Sequence, residues 1–148
     1  MSATRRFLAC CIALIWPHVG IADTREDQLR AGLAAMERQH YATAMRAWYD
    51  LAAAGDPQAQ HNIGYLYEEG LGVIQQYDVA MDWYRRAADG GLAEAEHNLG
   101  MMYVEGRGAA KSWAQGLIYF RKAADKGLTE SRYMIALSYF EGEGQIQN

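Results

Sequence analysis

Apolar residues along the chain recur at intervals of three and four, and the resulting stripes come in pairs. Ala59, Ile63, Leu66 and Tyr67 mark one stripe; Tyr77, Ala80, Trp83, Tyr84, Ala87 and Ala88 mark the next. Such spacing gathers each set on one face of a helix that turns every 3.6 residues. Helix ends are written into the same stretch. Asp56 and Pro57 supply an N-cap and a proline for the first helical position, and Gly91 and Gly127 stand where a left-handed C-terminal residue is wanted. The pattern predicts an all-α chain with helices over 24–38, 41–54, 57–69, 76–89, 93–105, 112–125 and 129–141.

The stripes repeat with a fixed period. Gly55, Gly91 and Gly127 are 36 residues apart, and residues 77–88 (YDVAMDWYRRAA) align without a gap on 113–124 (WAQGLIYFRKAA) and on 41–52 (YATAMRAWYDLA). Between them lies a second repeating block, HNIGYLY at 61–67, HNLGMMY at 97–103 and YMIALSY at 133–139, each followed by Gly-x-Gly. A period of this length means stacked supersecondary units, here antiparallel helix pairs. Gly64, Gly100 and Ala136 share one mid-helix phase. Glycine there costs roughly 1 kcal/mol against alanine, so a closely approaching neighbouring helix is the expected compensation. Ala80 and Gly116 are expected to receive the facing helix. The aromatic positions Trp83/Tyr119 and Tyr84/Phe120 are expected to fill gaps between successive pairs.

These residues carry a resemblance. The string Ala59-x-x-x-Ile63-Gly64-x-x-Tyr67-x-x-Gly70-x-Gly72-Val73, followed by Ala80-x-x-Trp83-Tyr84-x-x-Ala87-Ala88-x-x-Gly91, resembles the Sel-one-like repeat, a relative of the tetratricopeptide repeat. Ala95, Leu99, Gly100, Tyr103, Gly106, Gly108, Tyr119, Phe120, Ala123, Ala124 and Gly127 give a second copy, and a third stops after Gly144. Residues 23–56, with Gly32, Tyr41, Ala44 and Trp48, resemble a degenerate tetratricopeptide pair. The resemblance implies a right-handed α-solenoid of antiparallel helix pairs, with units at 23–56, 57–92, 93–128 and a partial one at 129–148.

Composition sets the compartment and removes several chemistries. The chain has 148 residues, of which 51% are apolar, and a mean hydropathy of −0.28, enough for one soluble domain with a real core. Arg5 and Arg6 precede an apolar run over 7–16, then Pro17 and the small-residue exit Gly20-Ile21-Ala22. This reads as a signal peptide over 1–22, cleaved after Ala22, and the ten-residue run is well short of the roughly twenty needed to span a bilayer. The expected product is exported, periplasmic or secreted. Both cysteines, Cys10 and Cys11, leave with the leader, so disulfides, zinc-thiolate sites and a cysteine nucleophile are excluded from the mature chain. Loss of Arg5 and Arg6 leaves 12 basic residues against 18 acidic ones, a balance of −6 that gives nucleic acid or an anionic membrane nothing to bind.

Candidate chemistry is sparse. His61 and His97 share one repeat phase, with Glu94 three residues before His97, a spacing compatible with metal ligation. Tyr133 fills the same phase in the third copy and Gln58 replaces the acid in the first, which favours a phase that simply takes a ring. Gly106-Arg-Gly-Ala-Ala-Lys111-Ser112 lacks the glycine before the lysine of a phosphate loop and follows a helix. Ser112, Ser131 and Ser138 sit in ordinary repeat positions. No catalytic, cofactor or metal residue is assigned.

The resemblance implies instead a surface that binds protein. In tetratricopeptide-like arrays the first helix of each pair lines a concave face for peptides or partner helices. Carried over, the exposed phases are His61, Tyr65 and Glu69, then His97, Met101 and Glu105, then Tyr133, Leu137 and Glu141, an aromatic or aliphatic strip beside a column of glutamates. The expected function is a non-catalytic scaffold or adaptor of the bacterial cell envelope with a protein or peptide partner. The alternative is a β-lactam- or peptidoglycan-recognising secreted repeat protein with hydrolase activity. The apolar residues of the last helix, Tyr133, Ile135, Leu137, Tyr139 and Phe140, have no second helix to cover them in this sequence and predict self-association or partner docking at that end.

Overall fold

The computed structural model describes residues 24–143, so the leader, its two cysteines and Gly144 lie outside the described residues. The described residues form seven helices and no strand: α1 Arg25–Glu37, α2 Tyr41–Ala53, α3 Pro57–Glu69, α4 Tyr77–Asp89, α5 Ala93–Glu105, α6 Trp113–Asp125 and α7 Thr129–Phe140. Each packs on the next in sequence, giving a helical solenoid. The predicted boundaries hold to within a residue because the ends are chemically marked. The Asp56 carboxylate accepts from the Ala59 amide at 2.8 Å, with Pro57 opening α3, and the Ser112 hydroxyl accepts from the Gln115 amide at 3.2 Å to open α6.

Two turns alternate along the array. Within each of the two full repeats, α3 and α5 end on Gly70 and Gly106 in the left-handed region, at φ 68° and 74°. A seven-residue loop follows and is closed by the same bond in both: the Gln76 amide donates to Tyr67 at 3.0 Å and the Ser112 amide to Tyr103 at 2.7 Å. Between repeats the turn is shorter, with Gly91 and Gly127 at φ 91° and 99°, as their positions predicted, and Gly55 likewise at 97°. The first pair differs. Only Arg38, Gln39 and His40 join α1 to α2.

The core is a row of rings seated on glycines. A Cβ built on Gly64 would lie 2.8 Å from the Tyr84 ring, and one on Gly100 would lie 2.5 Å from the Phe120 ring. Trp48 lies against Gly32 in the same way and donates its indole N–H to the Leu29 carbonyl at 3.2 Å. The expected close approach of a neighbouring helix at Gly64 and Gly100 is present, and what that helix seats on each glycine is an aromatic ring. Tyr84 and Phe120 also fill gaps between successive pairs, as expected: Tyr84 clusters with Ala95, Leu99 and Met102 of α5, and Met134 and Ile135 of α7 pack against the cluster that holds Phe120. Gly116 meets the facing helix, its Cβ position lying 2.9 Å from the Gly100 carbonyl oxygen. Trp48, Tyr84 and Phe120 are among the most deeply buried large side chains. Truncating such a ring costs about 3–5 kcal/mol.

Trp83 and Tyr119 take the half-buried outer phase. Trp83 packs against the core cluster formed by α1, α2 and α3, and Tyr119 stacks on Tyr103 with centroids 5.6 Å apart. Arg86 and Lys122, again 36 residues apart, lie over these rings at 4.7 Å and 5.4 Å.

Candidate partner-binding groove

The histidine phase is built into the scaffold. His61 tilts against Tyr84 at 5.3 Å between ring centroids and His97 against Phe120 at 5.4 Å. Each also reaches the following repeat. The Asn98 amide nitrogen donates to His61 Nε2 at 3.1 Å, and His97 Nδ1 lies 2.9 Å from the Ser131 hydroxyl. With Nε2 accepting, the His61 proton belongs on Nδ1, which faces the side-chain amide oxygen of Asn62 at 3.4 Å. Burial lowers the pKa of both imidazoles from 6.5, against a smaller opposing pull from Asn62 and Glu94 on His61 and from Glu130 on His97. Both are neutral at pH 7. The expectation that this phase is exposed is corrected: both rings are half-buried and bridge successive repeats.

Where the two histidines come together, the chain opens a groove. His61 and Tyr65 of α3, Glu94, His97 and Asn98 of α5, Leu128 before α7 and Glu130 of α7 line a cavity of about 340 Å³. It therefore runs across the first helices of three successive pairs. Tyr65, 40% exposed, and Leu128 supply its apolar surface. Of the nine residues expected on this face, His61, Tyr65 and His97 are brought together here. Met101 is half-buried and packs beside Val104, Leu117 and Phe120, so it is not a freely exposed member of the strip. Leu137 is half-buried on α7 and Tyr133 is exposed there. Glu69, Glu105 and Glu141 stand at the C-terminal ends of their helices, away from the groove lining, and Glu105 is engaged by Arg107 at 2.5 Å.

The acids of the groove are instead Glu94 and Glu130, in the first turns of α5 and α7. Their 36-residue spacing, shared with Asn62/Asn98 and Leu92/Leu128, was the available signal. Among the described residues neither Glu94 nor Glu130 is in an ion pair. Nor do three or more His, Cys, Asp or Glu side chains converge there as metal ligands. Ser112 is used as a cap, Ser131 is buried beside His97, and Ser138 donates to the Ile135 carbonyl at 2.7 Å. No helix among the described residues is long and apolar enough to cross a membrane.

Behind the groove lies a buried charge that periodicity alone does not announce. Glu68, on α3, accepts a hydrogen bond from the Tyr84 hydroxyl at 2.5 Å and an ion pair from Arg107 at 2.6 Å. Arg107 sits between the two glycines of the next repeat's loop and lies over the Tyr77 ring at 5.8 Å. Burial and the adjoining carboxylate raise the Tyr84 pKa far above its ordinary value, so it remains a phenol and a donor.

Comparison with known proteins agrees with this architecture. The Sel1 repeat model matches residues 57–92, 93–128 and 129–148. The chain is similar to a Sel1 repeat protein from Oxalobacter formigenes, with 34% identity and a TM-score of 0.73 over 79% of this chain and 48% of that one. It is also similar to a protective antigen of uropathogenic Escherichia coli strains with an SLR fold, at 30% identity and a TM-score of 0.74 over 80% of this chain and 26% of that one. The chain thus spans about half the length of the first relative and a quarter of the second. No curated protein matches it significantly. Sel1 repeat proteins generally serve as protein-interaction scaffolds. With three copies of the repeat and its helical solenoid, this chain belongs to the Sel1 repeat family.

Proposed function

We propose that the protein is a non-catalytic adaptor of the bacterial cell envelope that holds a segment of a protein partner across the first helices of its repeats. The observation that carries this reading is the groove spanning α3, α5 and α7, with an exposed tyrosine on a wall fixed by hydrogen bonds between repeats. A rigid surface of that kind binds by preorganisation, because little side-chain freedom is lost when a partner docks. Export rests on the leader sequence at 1–22. Cross-linking in cells followed by mass spectrometry, comparing the wild type with Tyr65→Asp, tests the adaptor role. One stoichiometric partner, lost in the variant, is expected. An unchanged partner list would contradict the groove, and active hydrolysis of a β-lactam or muropeptide would contradict the non-catalytic reading.

Self-association through α7 belongs to the same proposal, supported by Tyr133 and Phe140 at 66% and 89% exposure. Concentration-dependent sedimentation that Phe140→Glu abolishes is expected. A monomer at every concentration would contradict it.

A further inference from the structure

We propose that the groove takes an extended peptide bearing two basic side chains and an apolar one: Glu94 and Glu130 receive the bases, and Tyr65 and Leu128 hold the apolar group. This rests on the groove being the partner site and adds the chemistry of the partner.

Charge complementarity decides the occupant. The lining contains two carboxylates, two neutral imidazoles, an amide, a phenol and a leucine, and no cation. Lys126 pairs with the buried Glu96 at 2.8 Å, Arg107 with Glu68 and Glu105, and Arg132 is directed at the Ala124 carbonyl at 3.4 Å, so none of the three forms an ion pair with Glu94 or Glu130. The groove therefore presents uncompensated negative charge beside apolar surface, in a chain that is acidic overall. An acidic segment would be repelled, and a neutral one would leave both carboxylates without counter-charge.

Spacing follows from the repeat. Glu94 and Glu130 occupy the same helical phase of α5 and α7, which the His97–Ser131 contact holds side by side. Helices that meet through their side chains lie about 10–12 Å apart. An extended chain covers that distance in about three residues, so Lys or Arg two to three positions apart, with an apolar residue near them, matches the two carboxylates.

The test is selection of a random heptapeptide phage library on the full chain, followed by fluorescence anisotropy of recovered peptides. Enrichment of Lys or Arg pairs at that spacing is expected. Affinity should fall about five- to tenfold in Glu94→Gln/Glu130→Gln, with a weaker salt dependence. Both carboxylates are exposed, so the variant should unfold at the wild-type temperature. Glu94→Lys/Glu130→Lys should turn the selection toward acidic peptides. Peptides without basic bias that Tyr65→Asp abolishes but the double Gln variant leaves alone would overturn the basic partner and keep the groove. Peptides indifferent to Tyr65→Asp as well would overturn both.

Discussion

The two full repeats use one backbone for two kinds of chemistry. In the first, Tyr84 lies over Gly64 and its hydroxyl meets Glu68; in the second, Phe120 lies over Gly100 and meets Val104. Tyr84/Phe120 and Glu68/Val104 are each 36 residues apart, so the hydroxyl and the carboxylate that accepts it are present together or absent together. The difference teaches that the fold fixes where a ring must go, while the polarity around it is free to vary as long as every buried group finds a partner. Placing the charge in the first repeat also brings in Arg107 from the second repeat's loop, so the polar version joins two repeats through an ion pair, where the cluster of Phe120 meets α7 through the apolar Met134 and Ile135.

That comparison can be broken most directly at the rings. Tyr84→Ala and Phe120→Ala should each cost about 3–5 kcal/mol in chemical denaturation, against a total stability of about 5–15 kcal/mol, with Tyr84→Ala the worse because it also leaves a Glu68 oxygen unpaired. Next comes the charge. Glu68→Ala should cost about 2–3 kcal/mol, less than for a fully buried pair because Arg107 is partly exposed and keeps Glu105, whereas Val104→Ala should cost about 1–2 kcal/mol. The glycine seats follow: Gly100→Ala should destabilise by about 1–3 kcal/mol and Gly64→Ala by less, since the added carbon lies 2.5 Å from a ring in one case and 2.8 Å in the other. A double-mutant cycle sharpens the argument. Tyr84→Phe alone should cost about 1 kcal/mol, and adding Glu68→Val, which gives the first repeat the second's residues, should cost about 1 kcal/mol less than the two single changes summed. Unfolding curves showing simple additivity would contradict the pairing.

The smallest effect is expected with pH. His61, facing Asn62, Asn98, Tyr84 and Glu94, and His97, facing Ser131, Phe120 and Glu130, both have pKa values below 6.5 when folded. The unfolded chain then binds more protons than the folded one as pH falls through and below 6.5, so their contribution to stability is present at pH 7 and is lost on acidification. His61→Gln/His97→Gln should flatten the stability profile between pH 7 and pH 5, read by thermal unfolding. An unchanged slope would show that the imidazoles are not held neutral by the fold.

Helix positions were legible in the sequence because periodicity, caps and glycines all pointed to the same boundaries. What seats on Gly64 and Gly100 was not, since a missing side chain announces close approach without saying whether backbone or a ring fills it. The groove was half legible. His61, Tyr65 and His97 follow from the repeat phase, but their environment does not: an imidazole with polar neighbours reads as exposed until the next repeat's Asn98 and Ser131 close over it. Glu69, Glu105 and Glu141 form a periodic acidic column at the helix ends, whereas the acids of the groove lie in the first turns. Glu68 was hidden for a similar reason. A glutamate next to Glu69 near a helix end looks like a solvated pair, and only the Arg107 loop folding back from the following repeat buries one of them.

The adaptor reading is tested most directly by photo-cross-linking in cells, with a photoreactive amino acid placed in turn at Tyr65, at Tyr49 on α2 and at Ile118 on α6, all exposed. A single dominant adduct from position 65, with none from the other two, is the predicted result. Equal labelling from all three, or labelling only from the second helices, would contradict a partner site on the first helices.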